Sequence, residues 1–252
     1  AVQAHREPVR TVTFAPGDAK FASASDDGTL RLWDFGSMAP ERTLEGHGWD
    51  VRAADWHPWR ALVASGSKDN LVKLWDPRAG AAVATLHDHK NSVLDVKWSR
   101  NGAWLLTASK DQVVKLFDAR TLKDVATYRA HRREVNALAW HPVHEELFAT
   151  GGAEGAVHYH VVGMAEPVGS LEGAHDNIVW TLDWHPVGHV LSSGSADCSV
   201  RFWTRHRPGD TLQDRYTLGR QAAEALGLAD AVPQAIVLSG GGDDEDDAES
   251  RP

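Results

Sequence analysis

Apolar and β-branched residues fall along the chain in runs of four to six, separated by turn formers such as Pro58, Gly102, Gly155 and Gly188. The runs at 51–56 (VRAADW) and 93–98 (VLDVKW), then 61–65 or 104–108, 71–75 or 113–117, and 82–86 or 124–128 read as consecutive short strands. Many of these runs are apolar on both faces. Such a four-stranded sheet is not stable alone, so each unit must stack on a neighbour. No apolar run approaches the roughly 18–20 residues of a membrane helix. The one helical pattern is short and Ala/Leu-rich, around Gln221 to Ala229.

The strand groups repeat. Aligned on DGTLRLWD, DNLVKLWD, DQVVKLFD, EGAVHYHV and DCSVRFWT, the anchor residue falls at Trp33, Trp75, Phe117, His160 and Trp203, with spacings of 42, 42, 43 and 43. Six residues before each anchor stands an acid: Asp27, Asp69, Asp111, Glu154 and Asp197. Ten before stands a hydroxyl: Ser23, Ser65, Thr107, Thr150 and Ser193. Further upstream lies a histidine, at His5, His47, His89, His131 and His175, followed nine residues later by Phe14, Trp56, Trp98, Trp140 and Trp184. A period of about forty residues that maps onto four strands is the signature of a propeller blade.

On these residues, with Trp33-Asp34 and Trp75-Asp76 as its dipeptides, the chain resembles the WD-repeat family of β-propellers. The resemblance implies an all-β fold with five four-stranded blades, expected to be part of a seven-bladed propeller. It also implies that the His, Ser/Thr, Asp and Trp of each repeat form a buried hydrogen-bonded tetrad. The chemistry suits this, since imidazole can link a carboxylate to a hydroxyl while indole N–H only donates. In the fourth repeat Glu154 and His160 replace Asp and Trp, and His131 is displaced by one residue; its tetrad is expected to be weakened or absent. The propeller is assigned to 1–206, with repeats at about 1–45, 46–87, 88–129, 130–173 and 174–206. An extension follows at 207–238 and a disordered acidic tail at 239–252. The chain is expected to continue upstream of Ala1, and apolar faces are expected to be exposed on the first and last blades.

Charge narrows the partners. Lys and Arg total 26 against 35 Asp and Glu, and six of those acids lie in the last ten residues. The body before the tail therefore carries only -4 of the net -9, which is no broad polycationic surface for nucleic acid. The single cysteine, Cys198, excludes an intrachain disulfide framework. His5, Ser23 and Asp27 are the residue types of a hydrolytic triad, but the same set recurs in nearly every repeat, which marks it as structural. Fourteen histidines raise the question of a metal. His57, His141 and His185 sit in a repeated Trp-His-Pro element; His158 with His160, and His87 with His89, are spaced two apart to share a strand face. With no Cys or clear third ligand beside them, no metal site, cofactor, enzyme activity or small-molecule substrate is expected.

The upper rim remains. In WD-repeat propellers it is formed by the residues three and five after the histidine and the one before the tetrad acid. Here that implies Arg10, Arg52, Lys68 and Lys110 as a basic arc, with Leu94 beside it, and Ile178 and Trp180 as an apolar patch; Trp180 is the sharpest candidate hot spot. Several stretches go beyond the generic repeat: 46–59, 65–78, 101–111 and 174–216, above all the run from Phe202-Trp203-Thr204-Arg205 to Arg207-Pro208-Gly209-Asp210. They resemble the WD-repeat subunits of the nuclear cleavage and polyadenylation specificity factor. That resemblance implies a non-catalytic nuclear scaffold for pre-mRNA 3′-end processing. Its partners would be a large multi-propeller subunit and a zinc-finger subunit, and pre-mRNA would be met mainly through residues upstream of Ala1. The alternative is a generic WD-repeat adaptor, such as a ubiquitin-ligase substrate receptor or chromatin scaffold.

Overall fold

The computed structural model describes residues 5–204 as five antiparallel sheets without a helix among them. The first holds β1 (Val9–Phe14), β2 (Lys20–Ser25), β3 (Thr29–Asp34) and β4 (Pro40–Glu45), in chain order. The second holds β5 (Val51–Trp56), β6 (Val63–Ser67), β7 (Val72–Asp76) and β8 (Ala81–Leu86). The third holds β9 (Val93–Trp98), β10 (Trp104–Ser109), β11 (Val114–Asp118) and β12 (Asp124–Tyr128). β13 (Val135–Trp140), β14 (Leu147–Gly152), β15 (Val157–Val161) and β16 (Gly169–Leu171) make the fourth, and β17 (Val179–Trp184), β18 (Val190–Ser195) and β19 (Val200–Thr204) the three-stranded fifth. The helix expected near Gln221 and the acidic tail lie outside the described residues.

The first strands, β1, β5, β9, β13 and β17, pack one against the next, and the apolar core is divided among the interfaces between sheets. Leu30, Leu32 and Leu44 of the first sheet meet Val51, Trp56 and Trp75 of the second. Leu74 and Leu86 meet Val96, Trp98 and Phe117; Leu116 and Tyr128 meet Leu138 and Phe148; Val157 meets Val179, Leu182 and Leu191. The second, third and fourth sheets are thus blades whose two faces are buried by their neighbours, which explains why their inner strands carry no polar–apolar alternation. On the outward faces of the first and last sheets, Val12, Phe14, Val200 and Phe202 are exposed.

Adjacent blades are also fastened by directed hydrogen bonds. Trp56, Trp140 and Trp184 each donate an indole N–H to a carbonyl of the preceding blade, at Thr13, Lys97 and Ala139 (3.1, 3.1 and 3.4 Å). Around the rest of the Trp-His-Pro element, His57 Nδ1 accepts the N–H groups of Trp59 and Arg60, so Nε2 carries the proton and donates to Gly102 O of the next blade at 3.1 Å. His141 does the same toward Gly188 at 2.9 Å. Both glycines have positive φ, 69° and 83°, and a Cβ on either would strike the imidazole.

Candidate functional site

Four of the five buried relays run as the chemistry of the residues dictates. In the second blade, Trp75 Nε1 donates to Ser65 Oγ (2.8 Å), Ser65 Oγ donates to His47 Nε2 (2.7 Å) and His47 Nδ1 donates to Asp69 Oδ2 (2.8 Å). The carboxylate also takes the backbone N–H groups of Gly48 and Leu71, which locks the turn between β6 and β7. Burial pushes the His47 imidazole down, and donors to the carboxylates hold Asp27 and Asp111 down at about 2 despite their partial burial. The relays through His5, Ser23, Asp27 and Trp33 and through His175, Ser193, Asp197 and Trp203 match. In the third blade the relay runs from Thr107 through His89 to Asp111, because the Phe117 ring has no N–H to give. The serine of the triad-like set, Ser23, is buried and hydrogen-bonded on both sides, so its hydroxyl serves the relay.

The fourth blade keeps its relay in weakened form. His131 Nδ1 donates to Glu154 Oε1 at 2.6 Å and Nε2 bonds Thr150 Oγ1 at 2.7 Å; only the last link, to His160 Nε2, is long at 3.4 Å. The relay is kept and weakened at its end alone. The extra residue that displaces His131 from Thr150 lies in the loop between β13 and β14, where it is absorbed away from the relay. His158 and His160 share β15, yet they engage different partners, Ser170 and Thr150. His87 and His89 share no strand face: β8 ends at Leu86, His87 is exposed and His89 is buried.

Each rim position has a backbone cause. The ladder between the first two strands of every blade skips one residue: Arg10, Arg52, Leu94, Asn136 and Trp180. Such a bulge re-aims the side chain it carries. One hydrogen bond then ties the other two rim positions together, as from Lys68 N to Asp50 O (2.9 Å) and Ala196 N to Ile178 O (2.9 Å). The basic arc is corrected, because each of its four cations faces an acid. Arg10 grips Asp26, Arg52 lies 3.8 Å from the same carboxylate, Lys68 is 3.5 Å from Asp50, and Lys110 is 3.3 Å from Glu134 of the next blade. Four cations thus meet three carboxylates, Asp26 being shared by Arg10 and Arg52, so most of the arc's charge is offset. Trp180 is 54% exposed, Ile178 and Leu94 are half-buried, and Trp49, at 60% exposure with Lys68 Nζ over its ring at 5.3 Å, adds a second aromatic that the repeat template does not mark.

A second group went unmarked as well. Asp55 and Asp95 accept the backbone N–H groups of Trp98 and Leu138 on the following blades, at 2.7 and 2.9 Å. Burial pushes both carboxyls up, Asp95 to about 6, while Asp95, Asp55 and Asp183 together raise the Lys97 ammonium. For Asp55, Lys97 and Asp183 the signal was present in the residue before each strand-end aromatic, which reads Thr13, Asp55, Lys97, Ala139 and Asp183; Asp95, two residues earlier on β9, has no such mark.

Five relays, five rim bulges and a core divided among blade interfaces define a repeat scaffold whose working parts are surfaces. The family model for the WD domain, G-beta repeat, matches residues 1–34, 38–76, 80–118, 122–159 and 165–204, and the chain belongs to that family. It is similar to proteins named polyadenylation factor subunit 2. That of Cryptococcus neoformans var. neoformans is 59% identical over 225 residues, 88% of this chain and 32% of the relative. That of Schizosaccharomyces pombe is 42% identical over 117 residues, 36% of this chain and 23% of the relative, and that of Gibberella zeae 54% over 66 residues, 25% and 11%. The chain spans about a third or less of the length of these curated relatives. No helix among the described residues is long and apolar enough to cross a membrane.

Proposed function

We propose that this chain is the propeller portion of a non-catalytic scaffold subunit that works in nuclear pre-mRNA 3′-end cleavage and polyadenylation. It helps to assemble the complex that recognises the AAUAAA-type signal. The observation that carries this reading is the 59% identity, over 88% of the chain, to a protein named polyadenylation factor subunit 2. Fold alone would not, because the same scaffold serves many functions. The rim supports a protein partner: its cations are paired, while the exposed Trp49 and Trp180 are the residue type on which interfaces most often turn. The partners would be a large multi-propeller subunit and a zinc-finger subunit, and the chain by itself would bind the RNA signal weakly.

Affinity purification of the tagged full-length protein from its own cells, followed by mass spectrometry, tests this. Polyadenylation-factor subunits should be recovered in near-equal amounts. Trp180→Ala should weaken that recovery about tenfold or more without changing the melting temperature. Recovery of a ubiquitin-ligase or chromatin assembly in their place would overturn the functional reading and leave the propeller standing.

A further inference from the structure

The fourth blade differs from the other four at four places, and all four surround one relay. Gly152 stands where they have Ser25, Ser67, Ser109 and Ser195; Glu154 replaces aspartate; His158 replaces Arg31, Lys73, Lys115 and Arg201; and His160 replaces the anchor aromatic. These changes are linked in space. The absent serine side chain leaves room for the longer glutamate, and a Cβ at Gly152 would collide with His131 Nδ1 and with Glu154 Oε2. The exchange of a cation for His158 brings a second imidazole against the first, with His131 and His158 ring centroids 4.5 Å apart. One nitrogen from each imidazole and one Glu154 carboxylate oxygen all lie within 4.8 Å of one another. Both histidines are buried, and Glu154 Oε2 is enclosed with no hydrogen-bond partner.

We propose that the fourth blade holds a divalent transition-metal ion, with zinc the best chemical match, on His131, Glu154 and His158. Two imidazoles and one carboxylate are borderline nitrogen and hard oxygen donors that suit zinc, and water would complete a tetrahedral set. The outer shell is already in place. Thr150 Oγ1 bonds His131 Nε2 at 2.7 Å and Ser170 Oγ bonds His158 Nδ1 at 2.9 Å, which leaves His131 Nδ1 and His158 Nε2 for the ion. Uptake needs no net proton loss from His131. Its ring proton leaves Nδ1, where it faces Glu154, and is carried on Nε2, where Thr150 Oγ1 accepts it. The Thr150 hydroxyl hydrogen then turns to His160 Nε2, with the His160 proton on Nδ1. The ion would thereby anchor the turn between β14 and β15 in the one blade whose relay ends on a long 3.4 Å link to an imidazole. This site is independent of the partner reading above.

The test is calorimetric titration of the full chain, stripped with chelator, with Zn2+, together with Co2+ as a spectroscopic stand-in. The wild-type chain should take one equivalent, gain visible absorption with Co2+, and melt several degrees higher with Zn2+. His158→Lys installs the residue that the second and third blades carry, so the blade should fold; binding should weaken at least tenfold and the Co2+ band should vanish. Glu154→Gln, which keeps the size and removes the charge, should weaken binding in the same direction. No saturable binding by the wild-type chain, or binding unchanged in His158→Lys, would overturn the proposal.

Discussion

Ser65→Ala isolates the energy stored in one relay. The hydroxyl is fully buried, and it accepts from Trp75 Nε1 while donating to His47 Nε2. Its removal leaves one buried donor and one buried acceptor unpaired, at about 1–3 kcal/mol each, so the expected loss is about 2–6 kcal/mol. At about 2–4 °C per kcal/mol for a unit of this size, that is a fall of roughly 4–24 °C in melting temperature. Trp75→Phe should cost less in hydrogen bonding, about 1 kcal/mol, because the serine can still donate to histidine. The third blade already lives in that state, with Phe117 beneath Thr107. Ser65→Ala with Trp75→Phe should then be less destabilising than the sum of the two by about 1–2 kcal/mol, since the orphaned indole N–H has gone. Urea unfolding of the four proteins measures this coupling. A single-mutant cost below 1 kcal/mol for Ser65→Ala, or strict additivity, would refute the idea that the relay is a connected chain of obligatory bonds.

Other substitutions test the remaining parts. Gly102→Ala forces a side chain into φ 69° and places Cβ 2.6 Å from His57 Cε1, so it should cost clearly more than Gly17→Ala, where φ is 96° and nothing lies within 4 Å. The backbone alone accounts for about 1–2 kcal/mol at both, and comparative melting reads the difference. Asp95→Asn should raise stability at pH 7–8 and leave it unchanged near pH 4. Its folded carboxyl is raised to about 6, so the charge costs stability progressively as pH rises from about 4 through 6, by at most about 3 kcal/mol. The opposite sign holds for Asp27 and Asp111, held at about 2: their contribution is complete above about 4 and disappears as pH falls toward 2, so replacing either with Asn should flatten the acid limb of a melting-temperature profile.

The repeat carried most of this architecture on its face. β5, β9 and β12 begin and end where the runs in the sequence do, because turn residues bound each of them. β6 starts at Val63 rather than residue 61, since Leu62 O closes the preceding turn by accepting His57 N–H. The relay residues were legible because they recur. What recurrence hides is whatever differs between units. The acids that balance Arg52 and Lys110 sit on neighbouring blades, some 26 and 24 residues away along the chain, and the inner Asp55, Asp95 and Lys97 occupy positions that an averaged repeat leaves blank. The rim aromatic Trp49 escaped for the same reason. In the fourth blade the expected weakening is confined to the last link, because Gly152 and Glu154 compensate for one another, a pairing that substitutions taken singly do not reveal.

The division of the core into separate interfaces has a consequence for how such a molecule can change. Among the described residues each blade touches only its immediate neighbours, through Trp–carbonyl and His–Gly fastenings that lie outside the relay. A unit can therefore diverge internally without retuning the units beyond its neighbours, and the fourth has done so at four positions while its outer contacts kept their register. Insulation of this kind makes the propeller a tolerant carrier: new chemistry can be tried in one blade while the others hold the shape.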